Sequence, residues 1–312
     1  METTQSRYED FLKIQTLPEV LTHHLGRHDD LPALTQYVSA EKSWKTLTYR
    51  ELYERVQRWR RSFVKLNLEA GSRVAMLLPN CIDAICFDQA ALACGLVPVP
   101  LHAVDTPGSS AFILNDSEAR VLVTAKYLKW KGIRQADTLP NLKAVIITDD
   151  EVPEDDQVNN QGVNVCALAD WLDAAENVPI PDIKIDPAGL AALVYTSGTT
   201  GFPKAILLKH TALLQSARME AIHHETTHED VFLCIPPLYH TGAKMHWMGS
   251  LLTGGKAVLL KGTKPRSILK AVSEERCTIV WLLVPWAQDI LDAIDSGEVG
   301  LEEYHLDQWR LM

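Results

Sequence analysis

The stretch "LVYTSGTTGFPKAI", residues 193–206, decides how the rest of the chain is read. Apolar and aromatic side chains run into a cluster of hydroxyls and glycines, and the cluster closes on a lysine. Small polar residues are costly to order unless something holds them. Within it, Thr196, Ser197, Thr199 and Thr200 can donate hydroxyl protons to anionic oxygens. Gly198 and Gly201 permit positive φ and close backbone approach. Pro203 stiffens the exit, and Lys204 supplies a compact positive charge. A strand over 191–195, this loop and a helix near 209–222 would make the strand–loop–helix arrangement that binds phosphate. The spacing is not that of a Walker A loop, because Pro203 precedes the lysine and Ala205 follows it. The chain has neither a G-x-G-x-x-G fingerprint nor a G-x-S-x-G nucleophile elbow. A plain surface turn needs two or three such residues, not a run from 196 to 204 ending in a cation.

Working outward, strand and helix signals alternate. Residues 48–66 place Leu52, Val56, Trp59, Phe63 and Leu66 on one face at helical spacing, with Thr48 and Glu51 as a capping box. Strands are predicted at 73–78, at "LVPVPL", "RVLVTA" and "AVIITD", with helices at 81–94 (closed by Gly95) and near 109–118. Residues 149–161 are acidic and patternless, which predicts an exposed loop, and "VPIPDIKIDPAGL" is a proline-punctuated connector. Beyond the hydroxyl loop come a strand at 231–235, a helix near 245–253, strand "KAVLL", a helix at 265–276 and strand "CTIVWLLV". Such alternation means crossover units: an α/β fold with stacked, mostly parallel sheets flanked by helices. The expected division is a first region at 1–185 and a second at 186–312, the latter opening with the phosphate loop.

Composition bounds the function classes. A formal charge of −10 argues against nucleic acid held by electrostatics, though it does not exclude a small anion met by local charge. The six cysteines include no C-x-x-C pair, and most sit in apolar runs, as buried small hydrophobes in a reducing compartment do. No secretory signal pattern is visible, and the longest apolar run, "IVWLLV", is too short for a membrane span. A cytoplasmic protein is expected.

"YTSGTTGFPK" resembles the signature loop of the acyl-adenylate-forming (AMP-binding) superfamily, which includes acyl- and aryl-CoA ligases, luciferases and peptide-synthetase adenylation domains. Ala205 departs from the glycine usual after the lysine. "LTYRELYERVQRWRRSF" and "AGSRVAMLLPNCIDAICFDQAALACGLVPVPL" are similar to that family's early helix and first strand–helix–strand unit. "EDVFLCIPPLYHTGAKMHWMGSLLTGGKAVLL" resembles its segment around an aromatic–histidine pair, here Tyr239–His240. The resemblance implies an ATP-dependent acyl-CoA ligase of fatty-acid metabolism type. A carboxylic acid attacks the α-phosphate of ATP with Mg²⁺ present, and coenzyme A then takes the acyl group. It implies phosphate binding by Thr196, Ser197, Gly198, Thr199, Thr200, Gly201 and Lys204, and an acyl/adenylate pocket at Tyr239 and His240. His240 and the loop are expected to share one cleft at the C-terminal ends of adjacent strands.

The family's later motifs do not occur: the Mg²⁺-positioning glutamate, the ribose-gripping aspartate, and the lid domain with its lysine. No residue of the chain is therefore assigned a catalytic role. The chain reads as an N-terminal fragment of such a ligase, inactive alone, with apolar surface near Met312 that favours self-association. The alternative is a short form that binds acyl or nucleotide ligands, or docks a partner, without catalysis. A further motif competes. "HETTH", residues 224–228, satisfies H-E-x-x-H, which in zinc metallopeptidases sets two histidines on one helical face. Adjacent Thr226 and Thr227 signal a helix ending there, which weighs against that reading.

Overall fold

The computed structural model describes residues 10–157, 162–196, 203–238 and 240–312. Two five-stranded sheets are stacked, and a separate two-stranded hairpin lies beside them. The first sheet is built from β3 (Arg73–Leu77), β4 (Val97–Pro100), β5 (Val121–Thr124), β6 (Ala144–Ile147) and β7 (Asn164–Ala167). Its order is β4-β3-β5-β6-β7 and every pairing is parallel. The second sheet takes β1 (Pro32–Val38), β2 (Ser43–Thr48), β10 (Val231–Cys234), β11 (Lys256–Leu259) and β12 (Ile279–Val280) in the order β12-β10-β11-β1-β2. Only β1 and β2 pair antiparallel in it.

Parallel strands are apolar throughout because both faces are covered, and the period of two sorts their side chains into layers. Val74, Met76, Val121, Val123 and Ile146 enter one core, while Ala75, Leu77, Leu122, Val145 and Ile147 enter another. The first core is shared with the second sheet through Leu34, Phe232, Ala257 and Leu259. The opposite face of that sheet packs Leu233, Val258 and Val280 into a third cluster. Two sheets thus enclose a helical middle layer, and helices cover the outer faces: the stacked α/β architecture anticipated from the alternation of elements.

The helix Tyr49–Lys65 belongs to that middle layer. Its capping box is closed on both arms: Glu51 N donates to Thr48 Oγ1 at 3.2 Å, and Thr48 N donates to Glu51 Oε2 at 2.8 Å. Leu52, Val56, Trp59 and Phe63 are buried as their spacing requires. Trp59 meets Phe87 and Trp171 edge-on, with centroids 6.1 and 5.4 Å apart. The neighbouring helix, Ile82–Ala93, is buried nearly all round, so it shows no polar face in sequence.

Several elements depart from expectation. The helix expected near 209–222 is found at His210–His223, but an unexpected strand stands between it and the hydroxyl loop. β8 (Leu190–Thr196) pairs antiparallel with β9 (Lys204–Lys209), and the helix starts only at His210. Cross-strand pairing with β8 makes "KAILLK" a strand. "CTIVWLLV" contributes two strand residues, because Pro285 stands in the first turn of a helix over Val284–Asp295. The β1–β2 hairpin was not anticipated, since its turn uses Lys42 at φ 52° rather than glycine or asparagine. A division at residue 185 also cuts across the second sheet, since β1 pairs with β11. The acidic segment contains a short helix at Glu154–Gln157, and residues 158–161 lie outside the described residues. Beside β12, Leu311 forms a parallel bridge with Ile279, and Arg310 grips Asp230 through two contacts of 2.9 Å. Among the described residues no helix is long and apolar enough to cross a membrane.

Candidate functional site

The hairpin register sets the site. Thr196 stands opposite Lys204, Tyr195 opposite Ala205 and Val194 opposite Ile206, so the strands hold the two ends of the loop side by side. Thr196 and Lys204 are exposed at the hairpin mouth. Ser197, Gly198, Thr199, Thr200, Gly201 and Tyr239 lie outside the described residues. No helix N-terminus directly follows Lys204, so the dipole part of the phosphate argument gives way to the Lys204 charge. β8 is anchored below the mouth, where Tyr195 Oη donates to Asp116 Oδ2 at 2.6 Å. Burial first, and that carboxylate second, raise the Tyr195 phenol well above its ordinary value, so it stays a donor.

His240 begins the helix Thr241–Leu252 as its N-cap, and the segment before it is pinned from the first sheet. The side-chain nitrogen of Asn80 lies 3.0 to 3.3 Å from the carbonyls of Cys234, Ile235, Pro236 and Leu260, while Asn80 Oδ1 accepts from Leu238 N at 3.0 Å. Asn80 therefore clamps the ends of β10 and β11 to the residues leading into His240. Sequence reasoning missed it, because an asparagine after a strand reads as a stop signal.

His240 lines a narrow cavity of about 20 Å³ with Val194 of β8, Leu208 of β9, and Met76 and Pro100 from the first sheet. The histidine and the hairpin that carries the loop therefore share one cleft. They reach it differently from the expectation, because β8 belongs to the separate hairpin and β10 to the second sheet. The His102 ring, after β4, lies 6.0 Å from that of His240. Partial removal from water, then the neighbouring His102, hold His240 below the usual imidazole value, so at neutral pH it is uncharged.

A charged pair also lines the cavity. Lys244 Nζ donates to Asp88 Oδ1 at 2.6 Å, with side chains 9% and 7% exposed. Asp88 Oδ2 accepts from Gln89 Nε2 at 3.2 Å. Neither residue carried a sequence signal: Asp88 sits within a largely apolar helix, and Lys244 reads as a solvated position.

The "HETTH" stretch is not a metal motif in three dimensions. The helix ends at His223, His224 caps it, and Glu225 turns away at φ 51°, so the two histidines share no helical face. His224 pairs with Glu220 at 3.7 Å, whereas His228 stacks on His28 at 6.3 Å. Among the described residues no group of three or more His, Cys, Asp or Glu is placed to hold a metal ion. The zinc reading is therefore without support.

Residues 21–312 match the family described as AMP-binding enzyme. The chain is 28% identical over 232 residues to 4-coumarate–CoA ligase of Pinus taeda, covering 72% of this chain and 41% of that protein. It is 30% identical over 250 residues to chalcone synthase cfoA of Aspergillus candidus, covering 78% of this chain and 9% of that one. A long-chain-fatty-acid-CoA ligase from Archaeoglobus fulgidus superimposes with a TM-score of 0.78 at 18% identity, over 94% of this chain and 56% of that chain. The chain spans less than half the length of the curated relatives it matches.

Proposed function

The chain belongs to the AMP-binding enzymes, and on that premise we propose that it forms the phosphate-gripping and acid-binding part of an ATP-dependent acid–thiol ligase. The reading rests on one observation. Val194 and Leu208 of the β8–β9 hairpin, whose mouth sets Thr196 opposite Lys204, line the same cavity as His240.

In this reading Lys204 and the hydroxyls of Thr196, Ser197, Thr199 and Thr200 meet the nucleotide's phosphates, and Gly198 and Gly201 let the backbone approach them. The acid's carboxylate oxygen attacks the α-phosphorus. The bond to the bridging oxygen breaks, and pyrophosphate leaves with that electron pair. The thiol of coenzyme A then attacks the acyl carbon, and AMP departs. Charge near the transferring phosphoryl group is offset by the Lys204 ammonium, the kind of positioned electrostatic help such transfers depend on. Neutral His240 is assigned to the acid's side, as Tyr239 next to it in sequence is, and an uncharged imidazole can donate one N–H without trapping the carboxylate as an ion pair. Mg²⁺ would screen the phosphates when bound with the nucleotide, and no step is assigned to a protein ligand for it.

Calorimetric titration with ATP tests the reading. Wild-type chain is expected to bind ATP, with inorganic pyrophosphate competing, and Lys204→Ala is expected to weaken binding about tenfold, or about 1.4 kcal/mol. Binding that Lys204→Ala leaves unchanged, or no binding at all, would sink it. ATP–pyrophosphate exchange with a panel of acids then reports how much of the chemistry these residues support by themselves.

A further inference from the structure

A larger cavity, about 560 Å³, is lined by the helices Leu17–His23, Tyr49–Lys65 and Ile82–Ala93 and by the connector around Ile183. At ~30 Å³ for each water it has room for a solute of roughly a dozen heavy atoms, with space to spare. Leu21, Val56, Ala93, Ile183 and Ile185 give it an apolar lining. The connector packs at the end of the third helix, since a Cβ added at Gly95 would stand 3.9 Å from Ile183 and 3.9 Å from Ile185. That helix also separates this cavity from the His240 cavity: Asp88 lines the latter, whereas Gln89 and Ala93 line the former. It starts beyond the end of β3 and finishes just before β4 begins. Ala93 therefore stands toward the edge of the first sheet opposite to Asn80 and the cleft.

Two cations line this cavity without a counter-charge. Arg60 Nη1 donates to Gln57 Oε1 at 3.1 Å, and Nη2 donates to Ala93 O at 3.3 Å. Both acceptors are neutral. Arg60 Nε is shut away from solvent and has no acceptor among the described residues. A guanidinium carries five N–H groups in a fixed fork, so this one is held in place with donors to spare. Lys184 joins the lining from the connector, and among the described residues neither cation has an ion-pair partner. Of the two carboxylates in the lining, Glu19 is already engaged, by Gln15 N at 2.7 Å and by Thr16 Oγ1 at 2.9 Å. The other, Asp182, is exposed. A buried donor left unfilled costs free energy that a charged acceptor would recover. We propose that the cavity binds an acidic amphiphile, an organic anion whose head meets Arg60 and Lys184 and whose hydrocarbon body lies against Leu21, Val56 and Ile185. This site is separate from the cleft and does not depend on the ligase reading.

The experiment is calorimetric titration of the whole chain with octyl phosphate, octylamine and inorganic phosphate, each with and without saturating ATP. Octyl phosphate is the probe because it is no carboxylic acid and cannot serve a ligase as its acid. It is expected to bind one to one, at least about tenfold more tightly than octylamine or phosphate alone, and equally well with ATP present. Arg60→Gln is expected to weaken it about tenfold, and Lys184→Gln several-fold. Ala93→Phe fills the cavity from its helix end and should weaken binding with no change of charge. Thermal melting reports whether each variant is folded. Lys184 is exposed, so Lys184→Gln keeps the test open should Arg60→Gln fail to fold. No binding of octyl phosphate, octylamine binding as tightly, or displacement by ATP would each overturn the proposal. Folded Lys184→Gln and Ala93→Phe variants that bind octyl phosphate as the wild type does would overturn it too.

Discussion

At Gly242 an added Cβ would lie 2.2 Å from the Trp281 ring, closer than any real contact. The indole has little freedom to move, because the His246 ring stacks on it at 4.4 Å with an interplanar angle of 1°. His246 is itself held: Nδ1 donates to Gly242 O at 2.8 Å, and Nε2 meets Glu220. Gly242→Ala therefore overpacks a site two residues from His240, and is expected to cost about 1–3 kcal/mol in urea unfolding. The double variant Gly242→Ala/Trp281→Ala should cost less than the sum of its parts, since the second change removes the clash. Additive costs would show that the ring is not what excludes a methyl group there.

Among the elements, the Tyr49–Lys65 helix was the most legible, because amphipathic spacing and a two-armed cap agree in sequence and in structure. Thr48→Ala removes one arm and is expected to lower stability by about 1 kcal/mol without altering ATP binding. A variant as stable as wild type would mean the cap is redundant with the helix's buried face. The β8–β9 hairpin was only half legible. Its first strand is apolar and bounded by the hydroxyl cluster. Its second strand leaves Ile206 and Leu207 exposed, at 45% and 62%, so nothing in its pattern distinguishes a strand from a helix start. Asn80, Asp88 and Lys244 were illegible for a related reason: each owes its role to a partner more than 150 positions away.

For the whole molecule, burial in the core between the sheets couples stability to pH. His24 and His210 are each lowered from 6.5 to about 4, by burial first. For His24 the nearby His23 and His28 add to the effect, and for His210 the Lys244 ammonium does. The hydrogen bonds fit neutral rings: His210 Nδ1 accepts from Leu17 N at 3.3 Å, and His24 Nε2 donates to Leu252 O at 3.2 Å. The unfolded chain takes up these protons near pH 6.5, and the folded chain only near 4. The stabilisation is thus complete above 6.5 and is lost as pH falls through that window, on the order of a few kcal/mol for the two together. The urea midpoint should therefore fall between pH 7 and pH 5, and less steeply in His210→Gln. An unchanged slope in that variant would remove His210 from the account.

Alternating apolar runs and turn residues were enough, by themselves, to specify an α/β chain of crossover units, because the periods of strand and helix are local properties of the backbone. The hydroxyl–glycine–lysine run likewise carried its family in ten consecutive residues. Which strands share a sheet was decided only by tertiary structure: β1 reaches across more than 200 positions to β11, and no local preference encodes that pairing. The same is true of the site. The return of the loop into β9, the clamp made by Asn80 and the buried Lys244–Asp88 pair exist because packing two sheets around one helical layer brings distant residues within hydrogen-bond distance. Burial then changes what those side chains do, since a lysine that is an ordinary solvated charge in sequence becomes a desolvated donor only when the fold removes its water.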